Sequence, residues 1–298
     1  MNQAFLKGQA RQWLESGRAA LVVEVRSARG SVPRDAGARM IVAEDAVLGT
    51  IGGGHLEWLA VQTAQQSLKT QSPCPSPQRI ALGPALGQCC GGAVELRFEA
   101  LEPGLLECWT LPAARFHLCL YGAGHVGQAL ARILTDIDCA VDWIDVREGA
   151  FEALPPEAWT RSPTLRCVVS DGPVAEACAA PPGAHHVVMT HSHALDFDLV
   201  QALLRRHDTG MVGLIGSRTK RQRFEHRLLA RGVSADRVAA LVCPIGTPGL
   251  TGKEPMAVAV AVAAQLLAQP SMHRNSAPSG RVCGVLPTEG PDSGASRA

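Results

Sequence analysis

Two adjacent cysteines, Cys89 and Cys90, stand between glycines in the stretch Gly87-Gln88-Cys89-Cys90-Gly91-Gly92. Packing alone explains this arrangement poorly, because glycines cost entropy on folding and give the thiols no hydrophobic wall of their own. A glycine-rich turn offers backbone N–H groups that favour a thiolate, and thiolates bind soft metals and take part in sulfur transfer. We therefore predict a functional thiol here, with a buried pair of small side chains as the alternative.

A second pattern is typical of nucleotide binding. An apolar run ends in Gly122-x-Gly124-x-x-Gly127, His125 lies at the start of a helical pattern, and the next apolar run ends in Asp145. This is the order of a dinucleotide-binding βαβ unit. In such a unit the first glycine allows a tight turn, the second the approach of a pyrophosphate and the third close helix packing, while the acid bonds a ribose hydroxyl. The alternative is a glycine turn that binds nothing.

A third glycine turn, Gly52-Gly53-Gly54, precedes His55 at the start of another predicted helix. Glycines before a helix can form a backbone cradle for an anion, and a neutral imidazole at that place could contact a ligand or a metal. A sharp turn with a packed histidine is the alternative. We count Gly53, Gly54 and His55 among the candidate cofactor-binding residues.

Two further groups of polar residues follow predicted strands. His191 and His193 come directly after one strand, and Arg218 and Lys220 come after the next. Because ligands of open α/β sheets bind beyond the carboxyl ends of the strands, we place all four at the binding edge. The two cations would form an anion site with a helix N-terminus. The histidine pair lacks a clear third metal ligand, and a solvated basic face is the alternative for the cations.

Composition limits the function classes. The chain has 298 residues, 18% of them charged, a net charge of +1 and only 4% aromatic residues, which argues against nucleic-acid binding. No apolar run is long enough to span a membrane, and the start lacks the core of a signal peptide, so we expect a cytoplasmic protein. Its cysteines would then be reduced, and the absence of a CxxC pair argues against a structural zinc site.

The elements predict an α/β protein with an N-terminal mixed α/β domain followed by a Rossmann-like parallel-sheet domain. We place the first domain at residues 1–100, a linker at 101–114 and the Rossmann-like domain at 115–268. Residues 269–298 are rich in Ser, Pro and Gly and are expected to form a disordered tail.

Together these stretches resemble the xanthine dehydrogenase accessory protein family, XdhC/CoxI. The resemblance covers residues 1–268 and rests on seven segments: Gly30-Ser31-Val32-Pro33-Arg34, 49–57, 87–92, 121–127, 190–196, 213–224 and 244–255. It implies a chaperone without turnover of its own that binds the molybdenum cofactor (molybdopterin), supports its sulfuration and inserts it into xanthine dehydrogenase, in purine catabolism.

The implied partners are the molybdenum subunit of xanthine dehydrogenase, a NifS-like cysteine desulfurase and the proteins of molybdenum cofactor biosynthesis, and a homodimer is left open. On this reading Cys90 is the candidate molybdenum ligand. The Rossmann turn could hold the pterin phosphate, a dinucleotide or nothing. Two other classes stay open: an NAD(P)-dependent oxidoreductase using His191, His193 or Asp196 as its acid or base, and a nucleotide-sensing regulatory module.

Overall fold

The computed structural model describes residues 2–83, 91–152, 164–249 and 252–270. The described helices and strands follow in the order α1 (Gln3–Glu15), β1 (Leu21–Arg29), β2 (Arg39–Val42), β3 (Val47–Gly49), α2 (Gly54–Lys69), β4 (Gln78–Ala81), β5 (Ala93–Ala100), α3 (Pro103–Cys108), β6 (His117–Tyr121), α4 (His125–Leu134), β7 (Ala140–Asp145), β8 (Leu165–Val169), α5 (Pro173–Ala179), β9 (His185–Val188), α6 (His193–Arg205), β10 (Val212–Leu214), α7 (Arg218–Ala230), α8 (Ala235–Ala239) and α9 (Pro255–Leu267).

The N-terminal half is an antiparallel sheet in the order β3-β2-β1-β5-β4. Side chains of β1 alternate between its two faces, as the period of a strand requires. Val23 and Val25 pack on the α2 side, while Val22 packs with Leu6 of α1 on the other side. The predicted mixed α/β domain is therefore a sheet with α2 on one face and α1 and α3 on the other.

The linker at residues 101–114, which joins the two halves, packs against the N-terminal half. Leu106 of α3 and Trp109 belong to the same buried cluster as α1. The guanidinium of Arg39 in β2 lies 5.0 Å from the centre of the Trp109 ring. These contacts attach the segment to the N-terminal sheet.

The second half is a parallel sheet in the order β10-β9-β6-β7-β8. When β6 is counted as strand 1 and the sheet is read from β8 to β10, this is the order 3-2-1-4-5 of a Rossmann fold. The order reverses between β6 and β9. Val242 adds a single parallel bridge to Gly213, beyond β10. Helices α4 and α9 cover one face, and α5, α6 and α7 cover the other. The predicted fold class is confirmed.

Helix α1 also contacts the Rossmann half. The side-chain amide of Asn2 donates to the Thr135 carbonyl at 2.6 Å, and the Gln3 N–H donates to Asp138 Oδ1 at 3.0 Å. Both acceptors follow the C-terminus of α4. Because α4 begins at the carboxyl edge of the sheet, these bonds lie toward the opposite edge.

Residues 271–298, and with them almost all of the predicted tail, lie outside the described residues. Among the helices that the structure describes, none is both long and apolar enough to cross a membrane.

Substitution of Gly122 tests the turn on which the Rossmann half depends. Its φ is +111°, and an added Cβ would lie 2.4 Å from the Met189 carbonyl oxygen, so Gly122→Ala should lower the free energy of unfolding by about 2–4 kcal/mol. Gly124→Ala is the control, because φ there is −77° and a Cβ would meet no atom within 4 Å. Urea unfolding of both variants measures the difference, and equal losses would contradict this account of the turn.

Candidate functional site

The glycine turn at the end of β6 has the geometry of a phosphate-binding turn. A Cβ on Gly127 would lie 2.3 Å from the Gly122 carbonyl oxygen, which shows how closely α4 packs on the strand. Gly124 is the N-cap of α4, and no side chain caps the helix there. The first turn of α4 therefore presents backbone N–H groups and the positive end of the helix dipole beside an open space. His125, its first residue, is exposed.

Asp145 ends β7 and is buried. Its Oδ1 accepts hydrogen bonds from the backbone N–H and Nε of Arg147, both at 2.9 Å. Its Oδ2 accepts from the Ala123 N–H at 2.6 Å and from Arg147 Nη2 at 2.9 Å. A carboxylate has about four acceptor positions, so all of them are used. A ribose hydroxyl could bind Asp145 only after Arg147 had moved away.

These contacts determine the direction in which the pKa of Asp145 is shifted. Burial by itself raises the pKa of the Asp145 carboxyl, but the hydrogen bonds from Arg147 and from the Ala123 N–H outweigh burial and lower the pKa from 3.8 to about 2. The carboxylate is thus ionised at neutral pH and braces the glycine turn against β7.

A cleft of about 210 Å³, counting space open to solvent, lies at this carboxyl edge. Its walls come from the ends of β6, β7 and β9 and from the starts of α5 and α6: Tyr121, Gly122, Ile144, Asp145, Val146, Pro173, Thr190, His191 and Leu195. Of the predicted site residues, the structure brings Gly122, Asp145 and His191 together here.

Asp196 and Lys220 form a buried pair next to the cleft. The Lys220 ammonium donates to Asp196 Oδ2 at 2.6 Å and to the Ile215 carbonyl at 3.0 Å. Asp196 Oδ1 accepts from the Thr190 hydroxyl at 2.7 Å and from the Thr190 N–H at 3.0 Å. The pair connects the ends of β9 and β10. In this arrangement the Lys220 charge is neutralised by Asp196.

Gly216 makes this pairing possible. A Cβ there would lie 2.6 Å from Cδ of Lys220, so the lysine stem crosses the strand end through space that only glycine leaves. Arg218 differs from Lys220: it opens α7 and is exposed. His193, the first residue of α6, is exposed as well. Arg218 and His193 therefore stay at the predicted edge, outside the cleft walls.

The glycine motifs of the N-terminal half meet in a separate cluster. A Cβ on Gly52 would lie 2.6 Å from the Pro33 side chain, and a Cβ on Gly92 would lie 2.4 Å from the Ser31 carbonyl oxygen. Gly30 faces Gly92 in the same way, at 3.1 Å from its Cα. We call the segments 30–34, 52–57 and 91–92 the N-terminal glycine cluster. Cys89 and Cys90 directly precede the last of these segments, 91–92, and lie outside the described residues.

Within the cluster, Glu57 fills the turn that was expected to cradle an anion. Its Oε2 accepts from the Ile51 N–H at 3.0 Å, the Gly53 N–H at 3.1 Å and the Thr50 hydroxyl at 2.5 Å. The carboxylate thus uses N–H groups of the turn and adds a negative charge beside it. Gly53 consequently has a structural explanation that the sequence did not suggest.

His55 projects from the start of α2 and stacks on Trp58, with ring centroids 5.4 Å apart and an angle of 20° between the planes. Trp58 is 55% exposed. This places His55 on the surface of the N-terminal half, next to an accessible aromatic face.

Sequence reasoning missed the partners that hold these residues. It did not foresee that Glu57 closes the Gly53 turn or that Asp196 pairs with Lys220. The sequence contained weak signals for both of these contacts. Glu57 stands four residues after Gly53, and Asp196 and Lys220 lie in the first turns of helices that follow neighbouring strands.

Comparison with known proteins agrees with the architecture. Residues 118–266 match the model of the XdhC Rossmann domain, and residues 13–75 match that of the XdhC and CoxI family. The uncharacterized protein YqeB of Escherichia coli K12 is 29% identical over 263 residues, covering 87% of this chain. The chain spans 44% of the length of this curated relative.

One solved structure extends this agreement. A Bacillus halodurans protein described as a xanthine dehydrogenase superposes with a TM-score of 0.65 at 17% identity. The superposition covers 88% of this chain and 94% of that one. At this identity the likeness shows the fold alone.

The Asp145 brace predicts a pH dependence of stability. Because the pKa of the folded carboxyl is lowered to about 2, its stabilising effect is present above about pH 4 and is lost as the pH falls toward 2. Asp145→Asn should therefore be less stable than wild type by about 2 kcal/mol at pH 6, and the gap should close between pH 4 and 2. Urea unfolding across this range measures it. Asp35→Asn, at an exposed loop position, is the control, and a gap at Asp145 that did not change with pH would contradict the prediction.

Proposed function

The chain belongs to the XdhC and CoxI family of xanthine dehydrogenase accessory proteins, and from this premise we propose that it binds the molybdenum cofactor as cargo. We further propose that it supports sulfuration of this cargo and passes it to a xanthine dehydrogenase. The partners in this proposal are the molybdenum subunit of that enzyme, a NifS-like cysteine desulfurase and the proteins of cofactor biosynthesis, and the compartment is the cytoplasm.

The open N-terminus of α4 supports a phosphate-bearing ligand. Gly124 caps the helix without a side chain, and the space around its missing Cβ holds no atom within 4 Å. The molybdenum cofactor is a pterin with a single phosphate, and a helix N-terminus suits that group. The exposed His125 at the same turn and Arg218 across the edge could add donors to the phosphate.

The observation that carries the proposal is the saturation of Asp145. In an NAD site of this fold, the acid at the end of the second strand binds a ribose hydroxyl. Here all acceptor positions of Asp145 are taken by Ala123 and Arg147. A ligand with a phosphate but no adenosine ribose, such as the molybdenum cofactor, needs no contact with this acid.

The setting of Asp196 argues against the oxidoreductase alternative. A general base must reach the proton that it removes, but Asp196 is 1% exposed and bound to Lys220 and Thr190. His191 and His193 are exposed and could contact a ligand, but the described hydrogen bonds of Asp196 go to Thr190 and Lys220 and not to either histidine. Binding without turnover fits this edge better than hydride transfer does.

The N-terminal glycine cluster is where we place the sulfur chemistry. Gly91 and Gly92 bring the chain from Cys89 and Cys90 into contact with the segment 30–34. A thiolate can ligate molybdenum or hold its dithiolene environment reduced, and we keep Cys90 as the candidate metal ligand. Variants in each half test separately which part of the cargo that half binds.

Gly124→Asp tests the phosphate site. An aspartate at this N-cap suits the extended backbone and should stabilise α4, but its charge would repel a phosphate. We expect the variant, purified from a host that makes the molybdenum cofactor, to retain at least tenfold less pterin than wild type while its melting temperature is unchanged or raised. The readouts are the fluorescent pterin product after acid oxidation and molybdenum analysis.

The matched control is Gly104→Asp in the first turn of α3, which adds the same charge at an exposed glycine with an open Cβ position. It should retain cargo like wild type. Normal cargo content in Gly124→Asp would place the phosphate elsewhere and remove the argument from the Rossmann turn.

A serine scan tests the thiols. Cys90→Ser, and to a lesser extent Cys89→Ser, should reduce cargo retention and activation of xanthine dehydrogenase, because a hydroxyl is a harder and far weaker ligand than a thiolate. Cys74→Ser, at an exposed thiol, is the control. The double variant Cys89→Ser/Cys90→Ser is needed because one thiol could take over the role of the other. Full retention and activation by the double variant would refute the role of this pair.

A further inference from the structure

A row of polar side chains crosses the parallel sheet on its α6 side. In register, His186 of β9 lies beside Cys119 of β6, Cys119 beside Asp142 of β7, and Asp142 beside Arg166 of β8. Central strands of such sheets are normally apolar, since helices cover both faces. A row of four polar side chains here therefore calls for an explanation.

His117 joins this row from two residues before Cys119, which places it on the same face of β6. Its Nε2 lies 2.8 Å from Asp142 Oδ2. One ligand atom from each of His117, Cys119 and Asp142 lies within 4.8 Å of the others. In the part of the chain that the structure describes, no other group of histidine, cysteine and acidic side chains converges in this way.

We propose that His117, Cys119 and Asp142 bind a divalent cation of the zinc class. An imidazole nitrogen, a thiolate and a carboxylate oxygen are the three kinds of ligand that zinc takes from proteins, and the thiolate selects against magnesium and calcium. The side chains of His117 and Asp142 are 25% and 15% exposed, so solvent can supply the fourth ligand.

The geometry needs only small movements. With bonds of about 2.0–2.3 Å, tetrahedral ligand atoms lie roughly 3.2–3.8 Å apart. The 2.8 Å between His117 Nε2 and Asp142 Oδ2 must therefore widen slightly, while the longest separation in the group, up to 4.8 Å, must shrink by about 1 Å. Cys119 is fixed in the core, but the partly exposed His117 and Asp142 side chains can turn toward it. Arg166 Nε holds the other carboxylate oxygen, Oδ1, at 2.8 Å, and would orient Asp142 for the cation.

His186 provides a second, independent observation. Its Nδ1 lies 3.2 Å from the Tyr121 hydroxyl, so its ring belongs to this face of the sheet. Its Nε2 is buried and has no hydrogen-bond partner among the described residues. An unsatisfied buried nitrogen is costly for packing alone and is consistent with a face that has a polar ligand.

This cation site is separate from the cleft at the carboxyl edge. Cys119 precedes Gly122 by three residues, which is roughly 10 Å along a strand. The cation would join β6 to β7 beneath the glycine turn. The inference does not depend on the proposed cargo, because its ligands belong to the sheet and not to the cleft.

Cobalt titration of the full chain tests the site, since Co²⁺ replaces Zn²⁺ and gives a thiolate-to-cobalt absorption band. Wild type should bind one equivalent that is absent from Cys119→Ser and from Asp142→Asn. The matched control is Cys139→Ser, which removes an equally buried thiol on the opposite face of the sheet. It should keep the full band. Cobalt bound by other thiols, including Cys89 and Cys90, adds the same absorption in every variant. The proposed site is therefore measured as the difference in absorption between wild type and each variant.

Thermal unfolding gives a second readout. Zn²⁺ should raise the melting temperature of wild type and of Cys139→Ser, but not of Asp142→Asn or His117→Gln, whose partly exposed positions tolerate substitution. The last two variants keep the test valid should Cys119→Ser fail to fold. Equal cobalt stoichiometry in wild type, Asp142→Asn and His117→Gln would overturn the proposal.

Discussion

The close approach of the end of β6 to the end of β9 is the constraint on which the Rossmann half depends. It occurs where the strand order reverses, and it is possible only because Gly122 has no side chain facing the Met189 carbonyl. The same turn sets the start of α4, and Gly127 lets that helix lie against it. The position of the helix N-terminus, and hence of any phosphate bound there, depends on glycine at both Gly122 and Gly127.

The acid at the end of β7 then determines what kind of ligand this turn suits. Asp145 uses its charge to hold Ala123 in the turn and Arg147 beside it, which stabilises the empty geometry. An NAD site needs the same carboxylate for the ligand. The turn therefore has the backbone geometry of a phosphate-binding Rossmann turn while its acid supports the structure, and this division agrees with the proposed pterin phosphate cargo.

The sequence predicted those features that depend on short stretches of chain. The glycine spacing at 122–127, the acid at 145 and the strand–helix alternation fixed the fold class, because backbone geometry follows from local residue types. It did not predict the partners of Asp145, Lys220 or Glu57, since a hydrogen bond between distant side chains depends on strand register and helix placement. The irregular cysteine spacing also gave no sign of the row of polar side chains at Cys119. This row forms only because the parallel register places β9, β6 and β7 side by side.

Strand β6 thus has two kinds of polar surroundings along five residues. At its carboxyl end, backbone N–H groups and a helix dipole favour an anion. Toward its amino end, a carboxylate, a thiol and an imidazole favour a cation. The two do not conflict, because Tyr121 and the packed helices separate them, and the α4 dipole falls off within one turn. A cation that joined β6 to β7 would stiffen the base on which the glycine turn rests, so the two ends would be coupled through the strand and not through the charges themselves.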